Sequence, residues 1–156
     1  MEKDRIEVSK LYFIDDRKAT CASFLSTGHE FSKSAEIIFD KNGGNLVPEN
    51  TKVIYYLIGH SLELIYKAFL HNTGYDIKKL KDRSLGHNLE NLSLGAKKQG
   101  LDILSKEEEA AINELNQYYS STSLGYDDTD FELKAPRFFF DIEEKLHNEV
   151  KKILKI

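Results

Sequence analysis

A single cysteine, Cys21, stands in 156 residues, so neither an intrachain disulfide nor a zinc site built on cysteines is available. Its neighbours Ala22, Phe24 and Leu25 are apolar, which makes a buried, inert thiol the expectation. Two prolines and nine glycines are too few turn formers for a β-sandwich of many short strands. Positive charge is also in short supply. With 22 Lys and Arg against 26 Asp and Glu, the net charge of −4 lacks the basic footprint of a nucleic-acid binder, and RNA binding is not favoured. No apolar run reaches membrane-spanning length, and the opening MEKDRIEV has no apolar signal core. A cytoplasmic protein with no membrane partner is therefore expected.

What the chain does have is helical periodicity. Its hydrophobic fraction of 40% and charged fraction of 31% are ordinary for a globular protein, and the length suits one domain over residues 1–156. Over 16–41, Cys21, Phe24, Phe31, Ala35 and Ile38 recur at helical spacing, with Gly28 on the same seam, until Asn42-Gly43-Gly44-Asn45 stops the helix. A second helix opens between Pro48 and Thr51 and runs to about Asn72. Its apolar positions Ile54, Leu57, Ile58, Leu62, Ile65, Ala68 and Phe69 cover more than half the circumference, which places it at the centre of the fold. Residues 75–86 read as a basic connector. A third helix is predicted from about His87 to Gly100, with Leu85, Leu89, Leu92 and Ala96 on one face.

Ser105 with Glu108 three residues later is a capping box, and opens a fourth helix carrying Ala111, Ile112, Leu115, Tyr118 and Tyr119. After a polar loop over 120–134, Pro136 opens the last helix, with Phe139, Ile142, Leu146, Val150 and Ile153 on its buried face. No segment of useful length alternates with a period of two. The predicted fold is all-α, a single-domain, up-and-down bundle of about five helices. Residues 1–15, apolar at Leu11, Tyr12, Phe13 and Ile14, read either as a short strand or as an N-terminal arm on the bundle.

The second helix also carries a polar strip, in which His60, Glu63 and Lys67 line up with Tyr56 before them and His71 after. Glu63 four residues before Lys67 suits an exposed ion pair on a solvated edge. The same strip facing a cleft would give Lys67 a phosphate or carboxylate to hold and His60 a proton to move. His87 at a helix start packs its ring on a neighbour or, with Arg83, meets an anion there. The acidic residues Asp127, Asp128, Asp130 and Glu132 lack the spacing of a calcium loop and read as solvated. His29, His71 and His147 have no partner at ligand spacing, so no metal site is expected. Tyr118, Tyr119 and 138–140 supply an aromatic excess for core filling or, alternatively, for stacking a nucleobase. Phe13, Tyr56, Tyr66, Phe138 and Phe140 lie off the main seams and suggest an exposed patch for self-association.

The order of Gly59-His60-Ser61-Leu62-Glu63-Leu64, Lys67-Ala68-Phe69-Leu70, Gly74-Tyr75 and Gly86-His87-Asn88-Leu89, with Leu92 and Ala96 behind, resembles the HEPN superfamily of helical-bundle domains over residues 55–100. The resemblance implies an up-and-down bundle of four or five helices that often dimerises. Members include ribonucleases of toxin–antitoxin and abortive-infection systems, partners of small nucleotidyltransferases, and domains proposed to bind nucleotides. It thus implies a prokaryotic stress or defence protein, with a homodimer or a partner such as a nucleotidyltransferase, and a nucleotide among the ligands to consider.

The ribonuclease members carry an Arg and a His separated by four to six residues. Among Arg5, Arg17, Arg83 and Arg137, none has a His at that offset; Arg83 and His87 are separated by three residues. No catalytic residue is carried over, and neither a cofactor nor a metal is expected. The expectation is a non-catalytic bundle acting by association, with His60, Glu63, Lys67, Arg83 and His87 as candidate ligand-binding residues. The rival, from the residues themselves, is an RNA- or nucleotide-acting enzyme or nucleotide-binding module that gathers His60, Lys67, Arg83 and His87 at one cleft. Close approach of His60 to His87 would favour the rival.

Overall fold

Six helices follow one another in the computed structural model, which describes residues 17–121 and 132–156. They are α1 (Arg17–Lys41), α2 (Pro48–Asn72), α3 (Ile77–Lys81), α4 (Leu89–Lys98), α5 (Lys106–Tyr119) and α6 (Pro136–Leu154). No strand occurs among the described residues, and the fold is the expected all-α bundle.

Local chemistry sets most boundaries. α1 ends where Gly43 and Gly44 take φ of 68° and 73°, a conformation glycine adopts at little steric cost. Pro48 and Pro136 occupy first turns, where their missing N–H would have had no partner. The Ser105 hydroxyl accepts the Glu108 N–H while Glu108 accepts the Ser105 N–H, completing the capping box at α5.

The stretch expected to be a plain connector holds α3, because Asp76 caps it by accepting the Lys79 N–H at 2.7 Å. α4 starts later than predicted. Asn88, not His87, stands at its N-cap and accepts the Asn91 N–H at 3.0 Å.

α2 is the central helix, packing against each of the other five. It is long and apolar enough to span a bilayer, yet 67% of its most apolar window is buried within the bundle. Its core side extends past the expected positions to Tyr55, Tyr66 and Leu70, while Leu57 is half-buried. The α1 seam keeps the expected Cys21, Gly28 and Ala35 but turns from Phe24, Phe31 and Ile38 toward Leu25, Ser32 and Phe39. Cys21, Leu25, Gly28, Ser32, Ala35 and Phe39 are buried at alternating spacings of four and three, and Phe24, Phe31 and Ile38 flank them half-buried. The small residues of that seam let α1 lie close along α2, which the larger aromatics would prevent. On α6 the seam ends at buried Leu154 while Ile153 is exposed.

The proposed self-association patch does not form as a unit. Tyr66 and Phe140 are buried and Phe138 is packed against the core, so among the described members of the patch Tyr56 alone is well exposed. Phe13, the N-terminal arm and Asp127, Asp128 and Asp130 lie outside the described residues, and Glu132 is exposed.

Candidate acid–base site at Glu63

Glu63 faces inward from the middle of α2 and is 1% exposed. A carboxylate so placed must be paired and fully hydrogen-bonded to stay charged. Lys67, one turn on, donates from Nζ to Oε1 at 2.5 Å, and the Tyr119 hydroxyl donates to Oε2 at 2.5 Å from the end of α5. His87 Nδ1 lies 2.9 Å from the same Oε2, and His60 Nδ1 lies 3.7 Å from it. Burial alone would raise the Glu63 pKa. Contacts with His60, Lys67 and Tyr119, and the Lys67 charge, outweigh burial and hold the carboxyl well below its ordinary value. Burial, then the adjacent Glu63 charge, push the Tyr119 hydroxyl far above its ordinary value, so it stays a donor.

The donors and acceptors fix both imidazole tautomers. A carboxylate only accepts, so His87 Nδ1 carries its proton beside Oε2, and its hydrogen bond runs to the Tyr119 hydroxyl oxygen at 3.4 Å. The Tyr119 proton is engaged by Glu63, so its oxygen accepts from His60 Nδ1 at 3.2 Å. Each ring is anchored through Nδ1, and Nε2 remains as the free nitrogen. The rings lie nearly parallel, with centroids 6.4 Å apart. Phe31 packs edge-on against His60 at 4.6 Å, and the half-exposed Tyr56 ring lies parallel to His60 at 6.2 Å.

Two backbone features bring these groups together. His87 sits just before α4 at φ 56°, a left-handed conformation that non-glycine residues seldom take, and this aims its ring back at α2. Gly59 presents a bare backbone to the Tyr119 ring. A Cβ there would come within 2.5 Å of Tyr119 Cδ2, so the ring can cross α2 to Glu63 only over glycine.

Four of the five candidates thus share one network: His60, Glu63, Lys67 and His87. The Glu63–Lys67 pair is not the exposed pair of a solvated edge, since the Lys67 side chain is only 12% exposed. Arg83 is exposed in the turn before His87 and, among the described residues, makes no hydrogen bond or ion pair with the cluster. His71, on the same strip, serves the helix end instead. Its Nδ1 meets the Tyr75 carbonyl at 2.6 Å.

Tyr119, expected to fill the core or stack a nucleobase, instead donates to Glu63, and the signal for that role was a glycine inside an apolar helix beside His60, a mark of close approach by another chain segment. One ligand atom each from His60, Glu63 and His87 lie within 4.8 Å of one another. The Lys67 ammonium on Oε1 nevertheless opposes a second cation there. Chemically, the arrangement offers two imidazoles whose Nε2 atoms can accept or return protons, backed by a buried negative charge. No family model, curated protein or solved structure matches this chain.

Proposed function

We propose that this chain is a cytoplasmic enzyme performing acid–base chemistry on a phosphate ester of a nucleotide, including those of a short single-stranded RNA. The observation that carries the proposal is the pair of imidazoles with centroids 6.4 Å apart, both tied through Nδ1 to the Glu63–Tyr119 pair. One neutral imidazole can take a proton from an attacking hydroxyl or water while the other, protonated, gives one to the leaving oxygen. Glu63 holds each ring in register and balances the charge of the imidazolium. Tyr56, 47% exposed beside His60, offers a face on which a base can stack. The net charge of −4 favours a small substrate over a long polyanion.

The HEPN resemblance supports the same assignment. Two of the motif segments that carry it, 59–70 and 86–89, meet at Glu63. The Arg–His spacing of the HEPN ribonucleases remains absent, so the proposed chemistry rests on the two histidines instead.

The test is hydrolysis of labelled single-stranded RNA and a panel of nucleotides by the purified protein. His60→Ala and His87→Ala are each expected to lower the rate by about 10²–10⁴-fold with helicity intact. The wild-type rate should follow a bell-shaped pH profile that loses one limb in each variant. Activity that survives both substitutions, or no turnover of any phosphate ester, would overturn the assignment.

Association is a second function with its own observation. Ile37 of α1 at 67% exposure, Leu46 of the α1–α2 turn at 42% and Val53 of α2 at 48% are exposed apolar residues close along the chain. Homodimerisation, or docking of a partner such as a nucleotidyltransferase, would cover them. Sedimentation at micromolar concentration is expected to show a dimer that Ile37→Asp with Val53→Asp dissociates; a wild-type monomer would remove the homodimer.

A further inference from the structure

On the opposite side of α1, two histidines for which no metal site was expected come together. His29 of α1 places Nδ1 2.9 Å from Glu143 Oε1 of α6. His147, one turn beyond Glu143, lays its ring alongside that of His29, with centroids 4.2 Å apart and planes 28° from parallel. One nitrogen of each imidazole and one oxygen of Glu143 all lie within 4.8 Å of one another. Glu143 is 2% exposed, so this carboxylate is built into the α1–α6 contact.

Two further observations point to a ligand. His147 Nδ1 is buried and has no hydrogen-bond partner among the described residues, an uncommon condition for a ring nitrogen. The same rings form a wall of a pocket of about 290 Å³ whose other sides include Ala22, Leu25, Lys151 and Ile156.

We propose that His29, Glu143 and His147 form a site for a divalent ion of the zinc class, independent of the Glu63 cluster. Two imidazoles and one carboxylate are the donor set that zinc accepts in three-ligand sites, whereas magnesium and calcium prefer oxygen donors throughout. Nitrogen and oxygen atoms about a tetrahedral ion at ~2.0–2.2 Å lie closer together than 4.8 Å, so the three side chains contract around it. The fourth position opens on the pocket, where water or an anionic ligand completes the shell. Lys33 and Lys151 bring positive charge to this end of the bundle, and Glu30 and Glu144 offset it. The Glu63 cluster is the weaker metal candidate, because Lys67 already occupies its carboxylate.

The probes are Co²⁺ and Zn²⁺ added to chelator-stripped full-length protein. The expected result is the intense visible absorption of four-coordinate Co²⁺ at about one equivalent. Zn²⁺ should displace it and raise the melting temperature. His29→Gln and His147→Gln should each weaken binding by at least about tenfold, while His60→Gln and His87→Gln leave it unchanged. Should a variant lose its helical circular dichroism, the wild-type ring resonances decide. Those of His29 and His147 shift with Zn²⁺ while those of His60 and His87 stay. No uptake by wild type, uptake kept in both His29→Gln and His147→Gln, or shifts confined to His60 and His87 would overturn the site. The Glu63 activity assay is read without added metal, so either proposal can fail alone.

Discussion

Glu63→Gln is expected to lower the unfolding free energy by about 3–5 kcal/mol at neutral pH, the usual cost of removing one partner from a buried ion pair. Shape and helix propensity hardly change in this substitution, so the effect isolates the charge. The neutral side chain would leave the Lys67 ammonium, 12% exposed, without its counter-charge. The introduced amide would also set donor against donor on the side of Lys67, or of Tyr119 and His87.

The pH dependence has a definite sign. An unfolded glutamate titrates near 4.5, and the folded Glu63 carboxyl lies lower. Its contribution is therefore complete above 4.5 and is lost as pH falls through the folded value. The gap between wild type and Glu63→Gln should be full at pH 7 and close on acidification below 4.5. Denaturant unfolding of both proteins across that range measures it. A gap under about 1 kcal/mol, the size expected of an exposed pair, or one that widens in acid would show that Glu63 is not the charged centre of the network.

Gly59→Ala is the second large effect, and here two terms oppose each other. Alanine in place of glycine in a helix interior stabilises by about 1 kcal/mol. Against that, the new Cβ would stand 2.5 to 2.9 Å from three ring atoms of Tyr119, closer than such contacts allow. Overpacking of this kind costs about 1–3 kcal/mol, and displacing the ring breaks a charge-assisted hydrogen bond to Glu63 of about 1.5–3 kcal/mol. The net expectation is a loss of about 2–4 kcal/mol. In a Tyr119→Ala background the clash is gone, and the same substitution should reverse sign and stabilise by up to about 1 kcal/mol. A double-mutant cycle read by denaturant unfolding gives both numbers. A Gly59→Ala cost that persists without Tyr119 would mean that the glycine serves something else.

The fold was legible where one residue type answers one local demand. Ser105 and Glu108 marked the start of α5, Gly43 and Gly44 the end of α1, and the breadth of apolar positions on α2 its place at the centre. The α1 seam was legible at Cys21, Gly28 and Ala35, whereas the apolar Phe24, Phe31 and Ile38 drew the reading one position away from the buried Leu25, Ser32 and Phe39. Most of the site was legible too. His60, Glu63 and Lys67 share a face of one helix, so a periodic count finds them together, and His87 stood out beside a helix start, although the left-handed backbone angle that turns it toward them left no sign. Tyr119 enters from 56 residues away and leaves no periodic trace. The same holds for His29 and His147, joined by the packing of α1 on α6, although Glu143 four residues before His147 was the local half of that cluster.

Asn116 lies three residues before Tyr119 on α5 and is 6% exposed. Its Oδ1 accepts the Leu89 N–H at 2.7 Å, and its Nδ2 donates to Asn88 Oδ1 at 3.2 Å. The first turn of α4 is thus completed by a side chain of another helix, immediately after His87. In native-state fluctuations, this makes the start of α4 and the end of α5 a single opening unit. The Leu89 amide is expected to exchange with solvent only when α5 lifts away, not when the surface turn before it frays. His87, although 63% of its side chain is exposed, therefore keeps its distance from His60 with the persistence of a helix interface.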